Sequence, residues 1–82
     1  MDKIERFNKL KLDQKMSVIS WVGAPTNLAR KAGPREIHLY VLGPAYVDVY
    51  CNGSGKVTAA VAFTDVERIN DYLKQMDISG LI

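Results

Sequence analysis

The second half of the chain carries three short runs of strand-forming residues, and turn signals separate them. The runs span residues 36–42, 45–51 and 56–63, and they are rich in β-branched and aromatic side chains. Gly43-Pro44 divides the first two runs, and the Asn-Gly-Ser-Gly stretch at 52–55 divides the last two. Runs of this length bounded by Gly, Pro and Asn are typical of strands joined by hairpin turns. The pattern therefore predicts an antiparallel meander.

The N-terminal segment carries helical signals. Ile4 and Phe7 lie three residues apart, and this spacing predicts a short helix that ends near Asn8. Residues 9–12 are expected to form a connector to the next element.

A second helix is predicted over residues 14–22. Asp13 is a candidate cap for its start, Gly23 is a candidate stop, and Trp21 is expected to be partly buried on it. A strand is the competing interpretation of this segment, because its residues alternate and three of them are β-branched.

Residues 24–35 contain two prolines and are expected to form a connection with a short extended piece near 28–31. After the third strand-like run, Thr64 and Glu67 match a capping box at the start of a last helix. Its apolar positions recur at helical spacing: Val66, Ile69, Leu73 and Met76. The remaining residues, 77–82, are expected to form a short apolar tail.

These elements together predict one α+β domain over residues 1–82. We expect an antiparallel meander of three or four strands, with N-terminal helices and a C-terminal helix packed on one face. A folded chain near 82 residues buries only about 60% of its unfolded surface, so its core is modest. A partner subunit would therefore add stability.

Strand alternation predicts which side chains share a face of the sheet. If both hairpin loops hold an odd number of residues, one face carries Ile37, Leu39, Val41, Val47, Val49, Cys51, Val57, Ala59, Val61 and Phe63. The opposite face then carries His38, Tyr40, Leu42, Tyr46, Asp48, Tyr50, Thr58, Ala60 and Ala62. A loop of even length would mix these sets and place Tyr46 and Tyr50 beside Leu39, whereas a bulge would restore the phase.

The predicted tyrosine face, formed by Tyr40, Tyr46 and Tyr50 with His38 and Asp48, is the leading candidate binding surface. Tyrosine offers a large contact area at little rotamer entropy, and small neighbouring residues would leave a shallow groove. We therefore expect a non-enzymatic interaction module, a homodimer or a partner of another protein. Cover by the chain's own first helix is the structural alternative.

The charges are distributed unevenly along the chain. Residues 1–35 carry eight basic and three acidic residues, a net of +5, whereas residues 36–82 carry three basic and six acidic residues, a net of −3. Arg30, Lys31 and Arg35 lie at the end of the basic half. A weak nucleic-acid binder that uses these three residues is the second functional hypothesis. The acidic Asp48 within the tyrosine face weighs against it.

Catalytic signals are few. Cys51 is the single cysteine, and the predicted register places it on the face opposite His38, so a thiol nucleophile with its base is not expected. His38 and Asp48 are the one candidate acid–base pair, and such a pair alone is weak evidence. Residues 53–56 resemble a phosphate-binding loop only superficially, because Val57 follows in place of Ser or Thr. We expect no enzyme activity, no metal site and no cofactor.

The sequence contains no apolar run of the roughly 18 residues that a membrane helix needs. The start, Met-Asp-Lys-Ile-Glu-Arg, is more charged than a signal peptide. We therefore expect a cytoplasmic protein without a membrane partner.

The order of elements resembles that of a group of short, uncharacterised bacterial proteins. The matching residues cover most of the chain: Phe7-Asn8, Leu10, Leu12, Trp21, Gly23, Ile37, Leu39-Tyr40, Leu42, Tyr46-Val47-Asp48-Val49, Tyr72-Leu73 and Ile78-Ser79. The group more often has Glu at the position of Asp48. The resemblance implies an α+β domain and no activity, because none is assigned to the group.

Overall fold

The computed structural model describes residues 3–75, and within them two helices precede four strands and a short helix. The elements are α1 (Lys3–Asn8), α2 (Leu12–Val22), β1 (Ala24–Ala32), β2 (Arg35–Leu42), β3 (Ala45–Cys51), β4 (Val57–Phe63), a 3₁₀ turn (Val66–Arg68) and α3 (Ile69–Gln75). The strands form one antiparallel sheet in the order β1-β2-β3-β4. The predicted α+β meander is confirmed, with four strands.

The predicted second helix is confirmed as a helix, but its start and its exposed face differ from the prediction. It begins at Leu12, and Gln14 Oε1 accepts a hydrogen bond from the Lys11 backbone N–H at 3.1 Å, so Asp13 is not its cap. Ile19 faces the sheet and is buried, whereas Trp21 is 88% exposed. The two residues are about 200° apart around a helix of 3.6 residues per turn, which explains why Trp21 points away.

Residues 24–35, predicted as a connection with a short extended piece near 28–31, contain a nine-residue strand, β1. The extended piece is correct but the strand is longer than predicted. It pairs with β2 on both sides of a bulge between Pro25 and Ala29. Asn27 lies in this bulge with a φ of +65°. The Thr26 hydroxyl donates a hydrogen bond to Leu39 O at 2.8 Å and accepts one from Leu28 N–H at 3.1 Å. Pairing with β2 therefore outweighs the low strand propensity of Pro25 and Asn27.

The expected register of the sheet is wrong, and loop length is the reason. The β2–β3 turn holds only two residues, Gly43 and Pro44, because Leu42 pairs directly with Ala45. Gly43 has a φ of +60°, the left-handed conformation that a two-residue turn of this kind requires at its first position. An even loop reverses the phase of β3 relative to β2, so the even-loop alternative is correct.

The β3–β4 loop has the expected odd length, five residues, yet the phase of β4 relative to β3 differs from the prediction. Relative to β2 it is as predicted, because Ala59, Val61 and Phe63 lie on the same side of the sheet as Ile37 and Leu39. A bulge between Tyr50 and Cys51 shifts the pairing by one residue, so Tyr50 lies opposite Ala59 and Tyr46 lies opposite Phe63. Each face of the sheet therefore carries side chains from both of the predicted sets.

Each face of the sheet has its own buried cluster. On the face that packs against the first two helices, the buried residues are Phe7, Ile19, Val47, Val49, Ala60 and Ala62. On the face that packs against the last helix, they are Ile37, Leu39, Phe63 and Tyr72. We call these the α1–α2 face and the α3 face.

The last helix begins and packs differently from the prediction. Asp65 caps the 3₁₀ turn, its Oδ1 accepting a hydrogen bond from Glu67 N–H at 2.9 Å, so Thr64 is not the cap. Tyr72 of α3 is buried and Ile69 packs against the same cluster, as predicted for Ile69, whereas Val66 and Leu73 are exposed. Met76 and the predicted tail, residues 77–82, lie outside the described residues.

Candidate functional site

The predicted tyrosine face does not exist as one surface. Tyr46 and Tyr50 pair opposite Val41 and Ile37, and both pack against the cluster of the α3 face. Tyr40 packs against the cluster of the α1–α2 face instead. All three rings are half-buried. The prediction of one shared tyrosine face is wrong, because the two-residue β2–β3 turn places Tyr46 and Tyr50 on the side of the sheet opposite Tyr40.

Asp48 lies at the centre of the α3 face and is 1% exposed. Its Oδ2 accepts a hydrogen bond from Arg68 Nη2 at 2.7 Å, and its Oδ1 accepts one from the Tyr72 hydroxyl. Arg30 Nη2 lies 4.0 Å from the same Oδ2, and its guanidinium lies over the Tyr72 ring at 5.3 Å. These four side chains form the Asp48 network.

The contacts of the Asp48 network indicate that it stabilises the fold. A buried carboxylate is costly unless cations and hydrogen-bond donors surround it, and here two arginines and a phenol do so. Arg30 Nε is buried and has no hydrogen-bond partner among residues 3–75. The predicted binding residue Asp48 and the predicted nucleic-acid residue Arg30 are thus both directed into the domain.

Tyr72 makes the network sensitive to alkaline pH. Burial raises the pKa of the Tyr72 hydroxyl above its ordinary value, and the hydrogen bond to Asp48 raises it further. Above about pH 10 the unfolded chain loses this proton while the folded chain keeps it, so stability is full below pH 10 and falls above it.

We expect the free energy of unfolding to fall by up to about 1.4 kcal/mol per pH unit above pH 10 from this residue alone. Urea unfolding at pH 8 and pH 11 measures the slope. Tyr72→Phe provides the matched control, since it lacks the ionising group and keeps the ring. An equal loss in both proteins would contradict the assignment.

The candidate acid–base pair of His38 and Asp48 is wrong, because the two residues occupy opposite faces. His38 pairs with Val49, whereas Asp48 pairs with Leu39. His38 Nε2 lies 2.8 Å from Glu36 Oε1 on its own strand.

Cys51, in contrast, lies on the same side of the sheet as His38, since it pairs with Glu36. The prediction that places these two residues on opposite faces is therefore wrong. Within residues 3–75, no group of three or more His, Cys, Asp or Glu side chains is arranged to hold a metal ion.

Two concave regions lie at opposite ends of the sheet. The first, the apolar groove, has a volume of about 500 Å³ and lies where α1 and α2 meet the β2–β3 turn. Its lining is mostly apolar and includes Ile4, Phe7, Leu10, Val18, Val22 and Leu42, with Lys3 and Arg6 also contributing. The sequence does not predict this groove. The spacing of Val18 and Val22 does indicate that both lie on one side of α2, and that side lines the groove.

The second concave region, the hairpin-end cavity, has a volume of about 440 Å³. The β1–β2 turn and the β3–β4 loop form its walls, and Lys31, Arg35, Glu36, His38 and Cys51 contribute side chains. The predicted nucleic-acid residues are thus divided: Lys31 and Arg35 line this cavity, whereas Arg30 belongs to the Asp48 network.

Comparison of the chain with protein-family models, with curated proteins and with solved structures gives no match. Among the described residues, no helix has both the length and the apolar character needed to cross a bilayer.

Proposed function

We propose that this protein is a small, non-enzymatic interaction module that forms a homodimer, in which Trp21 of each copy docks in the apolar groove of the other. The observation that carries the proposal is the exposure of Trp21, at 88%, beside Val22, at 66%. Single exposed apolar residues are common, but adjoining large ones next to a concave apolar surface are typical of interaction sites.

The apolar groove suits an indole ring. Its volume of about 500 Å³ is sufficient for one aromatic side chain, and aliphatic and aromatic side chains form most of its wall. A tryptophan buries about 150–250 Å² on docking, and tryptophans in apolar pockets are frequent energetic centres of protein interfaces. The groove therefore offers a complementary surface for the exposed ring.

The positions of Trp21 and the groove favour a two-fold arrangement. Val18 and Val22 line the groove, and Trp21 lies between them in sequence on the adjoining side of α2. A ring beside its own groove reaches the groove of a second copy when a two-fold axis passes between the two helices. Such an isologous contact uses each surface twice and closes without further growth.

Tyr46 and Tyr50 are less suitable as a binding surface, because their rings already pack within the domain. Tyr46 stacks on Phe63 with ring centroids 5.8 Å apart, and Tyr50 packs against the same cluster. The nucleic-acid alternative also loses support, because Arg30 contacts Asp48 and only two of its three basic residues remain on the surface. The prediction of nucleic-acid binding stays untested.

Light-scattering mass during size exclusion tests the proposal, and Trp21 fluorescence supplies an independent readout. Trp21 is the single tryptophan of the chain, so a blue shift of emission with rising concentration reports its burial. Trp21→Ala is expected to weaken dimerisation by at least about 2 kcal/mol, or roughly 30-fold in Kd. Val22→Lys is expected to act in the same direction, since it charges the groove rim while favouring the end of α2.

Leu73→Ala is the matched control, because Leu73 is a large exposed apolar residue on α3. The control is expected to dimerise as the unmodified protein does. A monomer at all concentrations with constant fluorescence would overturn the proposal. A dimer that neither Trp21→Ala nor Val22→Lys weakens would place the contact on another surface.

A further inference from the structure

The β3–β4 loop carries Asn52 followed directly by Gly53. The loop forms a hairpin turn, as predicted: Asn52 N–H donates to Lys56 O and Gly55 N–H donates to Asn52 O, both at 2.9 Å. Asn52 is half-buried at the base of the turn, whereas Gly53 and Ser54 are exposed to water. The turn is therefore held by its own hydrogen bonds, and its tip is open to solvent.

Three donors converge on one oxygen of the Asn52 side chain. Asn52 Oδ1 accepts hydrogen bonds from Ser54 N–H at 3.0 Å, from Ser54 Oγ at 2.7 Å and from Lys56 N–H at 3.0 Å. Donors at these distances stabilise the negative charge that develops on a carbonyl oxygen when a nucleophile adds to its carbon. The donors thus form an oxyanion hole around the side-chain amide, and they make Asn52 Cγ more susceptible to attack.

The backbone nitrogen of Gly53 is the nearest nucleophile along the chain. Its attack on Asn52 Cγ closes a succinimide ring, because the two atoms are linked through the Cβ, Cα and carbonyl carbon of Asn52. Gly53 N–H donates no hydrogen bond within residues 3–75, so no such bond has to break before the attack. Glycine also has no Cβ to hinder the approach. Two groups linked in this way react faster than separate molecules would.

We propose that Asn52 is a self-modifying site, at which the Gly53 nitrogen displaces the side-chain amide and converts Asn52 to aspartate or isoaspartate. The N–Cγ bond forms as the Gly53 nitrogen loses its proton. The Cγ–Nδ2 bond breaks as Nδ2 takes up a proton and leaves as ammonia. Water then adds to either carbonyl carbon of the succinimide ring and opens it. The net reaction consumes water and releases ammonia, and it involves no oxidation or reduction.

The modification changes a wall of the hairpin-end cavity, which Asn52, Gly53 and Gly55 help to line. Both products place a new negative charge there. In isoaspartate the main chain runs through Cγ, so the oxygen that accepts Gly55 N–H at 2.9 Å becomes part of a free carboxylate. Isoaspartate therefore alters the turn, whereas aspartate keeps its backbone. The site is independent of the homodimer contact, since Asn52 does not line the apolar groove.

Mass spectrometry of proteolytic peptides measures the conversion after incubation of the unmodified protein at mildly alkaline pH, and released ammonia is assayed in parallel. We expect Asn52 to convert far faster than Asn8, Asn27 and Asn70, each of which precedes a residue with a side chain. We also expect Asn52 to convert faster in the folded protein than in concentrated urea, because the three donors converge on Oδ1 only in the folded turn. Slower conversion in the folded protein would overturn the proposal.

Ser54→Ala tests the contribution of the donors, because it removes the hydroxyl at 2.7 Å and leaves the Ser54 backbone N–H in place. It is expected to slow the conversion about fivefold, which corresponds to about 1 kcal/mol for one hydrogen bond. Ser54→Thr keeps a hydroxyl and is expected to restore the rate. Ser17→Ala is the matched control, since the Ser17 hydroxyl donates to Asp13 O on α2. An unchanged rate in Ser54→Ala, or equal slowing in Ser17→Ala, would contradict the role of the donors.

Gly53→Ala tests the identity of the nucleophile. The fold accommodates this change, because the φ of Gly53 is not positive and a Cβ there would lie 3.6 Å from Pro34 O, an ordinary contact distance. The added methyl group hinders the approach of the nitrogen to Asn52 Cγ, so the conversion is expected to slow at least about tenfold. An unchanged rate would mean that water hydrolyses the amide directly, and it would overturn the proposal.

Discussion

Asp48→Ala is expected to lower the free energy of unfolding by about 3–5 kcal/mol. The substitution removes the acceptor for Arg68 Nη2 and for the Tyr72 hydroxyl, both of which bind the Asp48 carboxylate. Tyr72 is 0% exposed, so its hydroxyl would lose its partner in an environment that water does not reach. Arg30, 4.0 Å from the carboxylate, would lose its counter-charge as well.

Urea unfolding followed by circular dichroism measures this loss. Asp48→Asn is expected to cost less than Asp48→Ala, because an amide oxygen still accepts a hydrogen bond at the same place while the charge is lost. Asp71→Ala is the matched control, since Asp71 is an exposed carboxylate of α3, and its effect is expected to stay within about 0.5 kcal/mol. A loss below about 1 kcal/mol for Asp48→Ala would mean that the network is not needed for stability.

Asn8→Ala is expected to cost about 2 kcal/mol and to expose the outer edge of β4. The Asn8 side chain forms two hydrogen bonds with the backbone of Ala62, donating to its oxygen at 3.0 Å and accepting from its N–H at 2.7 Å. Each such bond contributes about 0.5–1.5 kcal/mol, and an unmet backbone group adds a penalty. Lys15 Nζ donates to Ala60 O at 2.7 Å on the same edge. The first two helices thus cover an edge that would otherwise offer backbone groups to another chain.

Hydrogen exchange of the Ala62 amide, together with urea unfolding, measures the effect of Asn8→Ala. Asn8→Asp separates the two bonds, because a carboxylate still accepts from Ala62 N–H but cannot donate to Ala62 O. Its stability is expected to lie below that of the unmodified protein. Asn70→Ala, an exposed asparagine on α3, is the matched control and should leave Ala62 protected. Unchanged protection of Ala62 in Asn8→Ala would contradict the role of Asn8.

The strand that sequence reasoning missed had a recognisable signal. Gly33-Pro34 precedes β2 just as Gly43-Pro44 precedes β3, and both glycines have a φ near +60°. The same dipeptide therefore makes both two-residue turns. Pro25 and Asn27 nevertheless predict a connection before the first of these turns, because both residues have low strand propensity. Pairing with β2 across a bulge overrides that local preference.

The candidate site was less predictable than the fold. The tyrosine face, the pairing of His38 with Asp48 and the separation of His38 from Cys51 all depended on one assumption about loop length. The apolar groove and the hairpin-end cavity are each built from segments distant in sequence, so no local pattern defines them. The exposure of Trp21 depended on which side of α2 meets the sheet.

The sequence by itself determined the class of the fold, the positions of three of the four strands and the presence of the helices. These features follow from local physics: side-chain periodicity, β-branching and turn residues act over a few positions. Only the tertiary structure decided which side chains share a face. Side chains alternate along a strand, so adding or removing one residue in a turn moves every side chain of the next strand to the opposite face of the sheet. The bulge between Tyr50 and Cys51 has the same effect on the pairing of β3 with β4.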